Sequence, residues 1–156
     1  MSKITPFLWF NGNAEDAINH YSKIFKNTNV VSISRYPEGS PMPAGTVMSA
    51  TMTIEGQTFH LLNAGPQFTF TPAISFMVNC ENQEEVDYLW DSLCEGGKES
   101  QCGWLEDKFG LSWQIIPTAL GKYLGDSNRE KAGKAMQAML KMKKIIIADL
   151  EKAFND

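Results

Sequence analysis

The feature that most constrains this chain is an internal repeat. ITPFLWFNGNAEDAINHYSKIF (Ile4–Phe25) and AISFMVNCENQEEVDYLWDSLC (Ala73–Cys94) align at a constant offset, each with an apolar run, a polar turn and a stretch of helical periodicity. Asn13 corresponds to Asn82, Asp16 to Glu85, Ala17 to Val86, Tyr21 to Trp90 and Ile24 to Leu93. Asn82-x-x-Glu85 has the form of a capping box, and Asn13-x-x-Asp16 is a weaker version with a shorter acid. Behind the caps, Ala17, Ile18, Tyr21, Ile24 and Phe25 recur at helical spacing, as do Val86, Leu89, Trp90 and Leu93. Each helix therefore buries one stripe and exposes the other.

Strand-like sequence follows each helix. In the first copy VVSISRY (Val30–Tyr36) leads into the Pro- and Gly-rich PEGSPMPAG. VMSATMTI (Val47–Ile54) and QTFHLLN (Gln57–Asn63) then flank a turn at Glu55-Gly56, which predicts a hairpin. The second copy is shorter, with a strand near Lys98–Gln101, then CGWLED, a turn at Phe109-Gly110 and LSWQII (Leu111–Ile116). Gly56 matches Gly110, Phe59 matches Trp113 and His60 matches Gln114. The order is thus βαβββ twice, an α+β arrangement whose copies span roughly residues 3–66 and 71–117 of one domain. The tail, 118–156, is helical: Ala132, Ala135, Met136, Met139 and Leu140 share a stripe within Asn128–Lys144, and a helix continues or restarts over Ala148–Phe154. That Met- and Ala-rich stripe is expected to lie back on the domain, with packing across a dimer as the alternative.

Composition narrows the function classes. The chain has 156 residues, 43% hydrophobic and 21% charged, with a net charge of −4, which speaks against a nucleic-acid surface. The short basic cluster Lys141, Lys143, Lys144 reads as the positive end of a helix. No run is long enough for a signal peptide or a membrane span. Three cysteines, Cys80, Cys94 and Cys102, without C-x-x-C spacing, suggest reduced thiols in the cytoplasm.

TPFLWFNGNAEDA (Thr5–Ala17), AISFMVNCENQEEVDYLWDSL (Ala73–Leu93), CGWLEDKFGLSWQIIP (Cys102–Pro117) and AMQAMLKMKKI (Ala135–Ile145) together resemble the PhnB-like branch of the vicinal-oxygen-chelate superfamily, the branch often labelled as a 3-demethylubiquinone methyltransferase domain. The resemblance implies the glyoxalase fold, two βαβββ modules forming a curved, cup-like mixed sheet, and a homodimer. One departure is Ile145-Ile146-Ile147, where relatives tend to place an acid able to cap the last helix; the position of the helix break is left open.

In metal-using relatives each module gives one ligand from its first strand and one from its last. Carried over, these positions fall near Pro6 and Ser75, within one residue, and on His60 and Gln114. Only His60 is a good metal ligand, so a divalent metal is disfavoured, with His60 and Gln114 the sole candidates. What the resemblance then implies is a pocket for a small organic ligand. Strand alternation adds Thr58, Leu62, Ser112 and Ile116 to the face of His60 and Gln114, and turns Phe59 and Trp113 towards the helices. On the first strands, Leu8, Phe10, Met77 and Asn79 are expected beside Pro6 and Ser75, with Cys102, Trp104 and Glu106 on a strand between.

Each candidate has a plain alternative. His60 as acid, base or ligand competes with a hydrogen-bonded core histidine. Gln114 can orient a ligand but cannot titrate. Cys102 reads more readily as a structural thiol than as a nucleophile. Glu106 and Asp107 read as solvated acids beside a turn, and His20 as a surface residue. Methyl transfer is not expected of this chain, because no Gly-rich turn of the doubly wound dinucleotide or methyl-donor type is present. Three functions stay open: binding of a small hydrophobic or aromatic metabolite, a lyase or isomerase using His60, and pure sequestration.

Overall fold

The computed structural model describes residues 2–156. It forms two compact units, the first ending at Phe70 and the second running Thr71–Asp156, so each unit holds one copy of the repeat and the helical tail belongs with the second.

Unit one contains β1 (Phe7–Phe10), α1 (Ala14–Ile24), β2 (Thr28–Arg35), β3 (Val47–Ile54) and β4 (Gln57–Asn63). The sheet order is β1-β4-β3-β2, with β1 parallel to β4 and the other pairs antiparallel. Glu55 and Gly56 both take positive φ, 48° and 83°, which closes the β3–β4 hairpin with the two-residue turn that suits strand twist. One face of the sheet carries Leu8, Phe10, Ala50, Met52, Ile54, Phe59 and Leu61, all buried with the α1 stripe Ala14, Ala17, Ile18, Tyr21 and Ile24. The expected Asn13 cap is not made: Asn13 forms no side-chain bond to the helix. Buried Asn63, at the end of β4, takes over instead. Its Oδ1 accepts the Ala14 N–H at 2.9 Å while its Nδ2 donates to the Val47 carbonyl at 2.9 Å.

Unit two contains β5 (Ser75–Cys80), α2 (Gln83–Cys94), β6 (Lys98–Glu99), β7 (Trp104–Glu106) and β8 (Ser112–Pro117), with sheet order β5-β8-β7-β6. Here the predicted cap forms: Asn82 Oδ1 accepts from the Glu85 N–H at 2.9 Å, and Glu85 reaches back to the Glu81 N–H at 3.0 Å. Val86, Leu89, Trp90 and Leu93 are buried, as are Leu105, Trp113 and Ile115 of the sheet. Both indole N–H groups find carboxylates, as buried tryptophans need. Trp90 donates to Glu99 at 3.1 Å and Trp113 to Asp107 at 2.9 Å.

The tail folds as α3 (Thr118–Leu124), α4 (Arg129–Met139) and α5 (Ile147–Asn155) around Leu120, Ile145 and Leu150. Helix α4 stops well short of Lys144, so Lys141, Lys143 and Lys144 sit in the connector to α5 and not on a helix end. That connector is tied down along its length. Cys102 and Gly103 donate their N–H groups to the carbonyls of Met142 and Lys143, both at 2.8 Å. Lys144 pairs with Asp87 at 3.0 Å. The Gln83 side chain donates to the Ile145 carbonyl at 3.0 Å and accepts from the Ile147 N–H at 2.8 Å. The acid missing after the lysines is thus replaced by an amide from α2, which satisfies the first free N–H of α5. Among the described residues no helix is long and apolar enough to cross a membrane.

Candidate functional site

The sheet faces turned away from α1 and α2 carry the candidate residues. In unit one, β1 pairs with β4 in the register Phe7–His60, Leu8–Leu61, Trp9–Leu62 and Phe10–Asn63. Residues in register share a face, so Phe7 and Trp9 accompany His60, while Leu8 and Phe10 lie in the core at 6% and 2% exposure. The expected placement of Leu8 and Phe10 beside His60, with Pro6 as the first-strand position, is therefore corrected by one residue. The cause is local. Three residues, Asn11-Gly12-Asn13, join β1 to α1, whereas two, Glu81-Asn82, join β5 to α2. The extra residue is accommodated by Gly12 at φ +83°, a conformation L side chains avoid. An alignment fixed on the helices thus runs out of step on the strands.

His60 is half-buried, and its Nδ1 lies 2.7 Å from Thr51 Oγ1, directly across the β3–β4 ladder. The Phe7 ring stands 5.5 Å from the imidazole at 46°. Thr58 and Leu62, half-buried, continue the face as the alternation predicts. Trp9 packs edge-on against Phe68 at 5.0 Å and donates its indole N–H to the Gly65 carbonyl at 2.9 Å. Thr51, Phe7, Trp9 and Phe68 went unread in the sequence. Thr51 was countable, since a two-residue turn at Glu55-Gly56 sets Thr51 opposite His60. Phe68 had no comparable signal.

In unit two the register is Ser75–Ser112, Met77–Gln114 and Asn79–Ile116, so the expected neighbours of Gln114 do share its face. Gln114 Nε2 donates to Ser75 Oγ at 2.9 Å. Trp104 stands opposite Gln114 and Glu106 opposite Ser112. Glu106 pairs with Lys98 at 2.8 Å. Met77 is 55% exposed, whereas Ser112 is buried at 1% and its Oγ has no hydrogen-bond partner among the described residues. Cys102 is not on a strand: it occupies the turn before β7 at φ 58°, where its N–H is committed to the tail. Asp107 is not solvated either. It is 2% exposed, and its carboxylate accepts from the N–H groups of Phe109 and Leu111 at 2.9 and 3.1 Å as well as from Trp113, so it builds the turn.

The donor chemistry of the two faces is unequal. Unit one offers one imidazole among aromatic rings; unit two offers an amide, a thioether, hydroxyls and one carboxylate, Glu106, already paired with Lys98. Neither set suits a divalent cation, which wants several imidazole, thiolate or carboxylate ligands. Among the described residues no group of three or more His, Cys, Asp or Glu side chains could hold a metal. The arrangement can instead accept and donate hydrogen bonds beside apolar walls, as small-molecule sites do.

A family model described as 3-demethylubiquinone-9 3-methyltransferase matches residues 2–116. Among solved structures, the PhnB protein from Bacillus cereus is 42% identical, with a TM-score of 0.71 over 75% of this chain and 100% of that one. A protein from Pseudomonas aeruginosa is 22% identical with a TM-score of 0.63, over 75% of this chain and 98% of that one. The fosfomycin resistance protein FosX from Listeria monocytogenes, solved with Mn(II) and sulfate, is 13% identical with a TM-score of 0.53, over 80% and 97% of the two chains. These last two similarities speak to fold alone. No protein of curated function matches the sequence.

Proposed function

Because this chain belongs to the 3-demethylubiquinone-9 3-methyltransferase family, the PhnB-like branch of the glyoxalase superfamily, we propose that it binds a small organic metabolite on its open sheet faces without a resident metal. The observation that carries this reading is the His60–Thr51 pair at 2.7 Å, a polar group held in place among apolar side chains. FosX was solved with Mn(II), but the single imidazole of unit one and the Gln114 amide of unit two fall short of the several imidazole, thiolate or carboxylate ligands a divalent cation wants. Methyl transfer is not part of the proposal. Each sheet mixes parallel and antiparallel pairs, and neither has the Gly-rich strand-to-helix turn of doubly wound methyl-donor sites. The reading extends to a cytoplasmic homodimer. Ile4 on unit one and Ile74 on unit two, outside the residues read as the ligand face, are large apolar side chains left more than half exposed, which supports association of copies.

A second reading rests on the same pair. A histidine with one ring nitrogen hydrogen-bonded and the other without a protein partner among the described residues can take or give a proton, so a lyase or isomerase step at His60 is the alternative to pure binding. Mass spectrometry of protein purified under native conditions is expected to find a co-purified small organic molecule, and metal analysis no stoichiometric metal. A tightly held equivalent of metal would overturn the proposal. His60→Gln is expected to weaken retention of that molecule by tenfold or more; normal retention would remove His60 from the site.

A further inference from the structure

We propose that the open face of unit one is an aromatic platform, and that its ligand is a planar ring carrying an oxygen acceptor directed at His60 Nε2. This rests on the reading of that face as a ligand site, and narrows it to a chemical class.

The first argument concerns the proton. Thr51 Oγ1 makes no other hydrogen bond among the described residues, and His60 Nε2 makes none. A threonine hydroxyl has one hydrogen to give. Were Nδ1 protonated, it would donate to Thr51 and leave that hydroxyl without an acceptor in the protein. With Nδ1 bare, the hydroxyl donates to it and both groups are satisfied. The proton then resides on Nε2, and the imidazole presents an N–H donor for a ligand. A complementary ligand supplies an acceptor: a carbonyl, phenolate or carboxylate oxygen.

The second argument concerns the rings. Phe7 and Phe68 are 61% and 64% exposed, a heavy cost for two phenylalanines on one small unit. They are not scattered. Phe7 flanks the imidazole at 5.5 Å, and Phe68 stands edge-on to Trp9 at 5.0 Å. Phe7 and Trp9 share a face of β1 by alternation. The Trp9 indole is locked by its bond to Gly65, so the surface is fixed before any ligand arrives. Ring faces and edges pair best with another ring in offset or edge-on geometry, whereas a saturated ring gains area burial alone.

The test uses the full chain and three probes: 2-naphthoate, the saturated decalin-2-carboxylate, and 2-methylnaphthalene, which keeps the ring and lacks the oxygen. Binding is followed by tryptophan fluorescence and by NMR shifts of the His60 imidazole. The protein has two histidines, so His60→Gln assigns that signal. Naphthoate is expected to bind at least fivefold more tightly than either other probe, and to shift His60. Phe68→Leu and Phe7→Leu, checked for an unchanged melt, should each weaken naphthoate at least threefold. Long-range nitrogen–proton spectra should show the Nε2–H tautomer, and Thr51→Val should mix it with the other form. Equal affinity for the saturated probe, no naphthoate binding at millimolar concentration, or an Nδ1–H tautomer in the native protein would each overturn the platform. If a co-purified molecule perturbs Ser75 and Gln114 while naphthoate leaves unit one untouched, the platform fails and the broader ligand-binding reading stands. If neither face responds to any molecule, both fail.

Discussion

The two copies of the repeat share a frame and differ in everything attached to it. At matching places in the sheets, unit one sets Phe7 and Thr51 around His60, and unit two sets Met77 and Trp104 around Gln114. Unit one's helix start is satisfied by a side chain from the end of the sheet, Asn63. Unit two's helix caps itself through Asn82 and Glu85. Unit one keeps one sheet face on its helix and the other open, with an extra glycine in its first turn. Unit two is bound by the tail connector at the turn before β7 and along α2. The lesson is that burial patterns and strand order tolerate divergence, because they ask only for apolar side chains at the right period, while hydrogen-bonded details are set one pair at a time.

The glycines give the strongest way to break this comparison. Gly103 sits at φ +86°, and a Cβ there would lie 2.8 Å from Ile116 Cδ1, 3.0 Å from the Ile115 carbonyl oxygen and 3.2 Å from Ile145 Cγ1. Gly103→Ala combines left-handed strain with overpacking under the connector and is expected to cost roughly 3 kcal/mol. Gly12, at φ +83°, has nothing within 4 Å of the same position. Gly12→Ala should cost only about 1 kcal/mol, from the backbone alone. Urea unfolding midpoints for the two variants check this, and equal losses would contradict the asymmetry.

The caps supply an intermediate effect. Asn63→Ala leaves the Val47 carbonyl and the Ala14 N–H without their buried partner, for an expected loss of about 2 kcal/mol. Asn82→Ala removes one exposed cap bond and should cost about 1 kcal/mol. Asn13→Ala, at the position the sequence marks as a cap, should be close to neutral, since Asn13 makes no cap bond. Denaturation curves that ranked Asn13 above Asn63 would reverse the assignment.

The last difference is silent at neutral pH. All three cysteines lie in unit two, and burial pushes the Cys80 thiol up to about 12 and the Cys94 thiol up to about 11 from an ordinary value of 9.0. The raised values mean the folded chain holds thiol protons that the unfolded chain gives up. The stabilisation is complete below pH 9 and is lost as pH rises through 11 and 12. Alkylation by iodoacetamide at pH 9 should therefore be slow at both thiols in native protein and fast in urea. Rapid native labelling of Cys80 would show that the unit-two core is looser than described.

Much of this was legible in the residues. The helical stripes fell where Tyr21 and Trp90 are buried, and the Glu55-Gly56 hairpin set the β3–β4 register. Counting back from that turn would also have found Thr51. The strand register of Phe7 with His60 was not legible, because one added residue in a turn changes which face a strand shows while leaving its composition unchanged. Asp107 reads as a solvated acid until the turn that folds three donors onto it is known.

By itself the sequence determined the repeat, the βαβββ order and the family, since hydrophobic periodicity and turn residues are local and survive in the order of residues. Tertiary structure alone decided which side chains finish the job at a distance. Asn63 and Gln83 supply N-terminal partners to helices far from them in sequence, and Phe7 in place of Leu8 stands beside His60. The physical reason is common to all three. A free N–H donates to any acceptor brought within about 3 Å, and a face belongs to whichever residue the pairing register puts there, so both depend on where the chain returns and not on what precedes them.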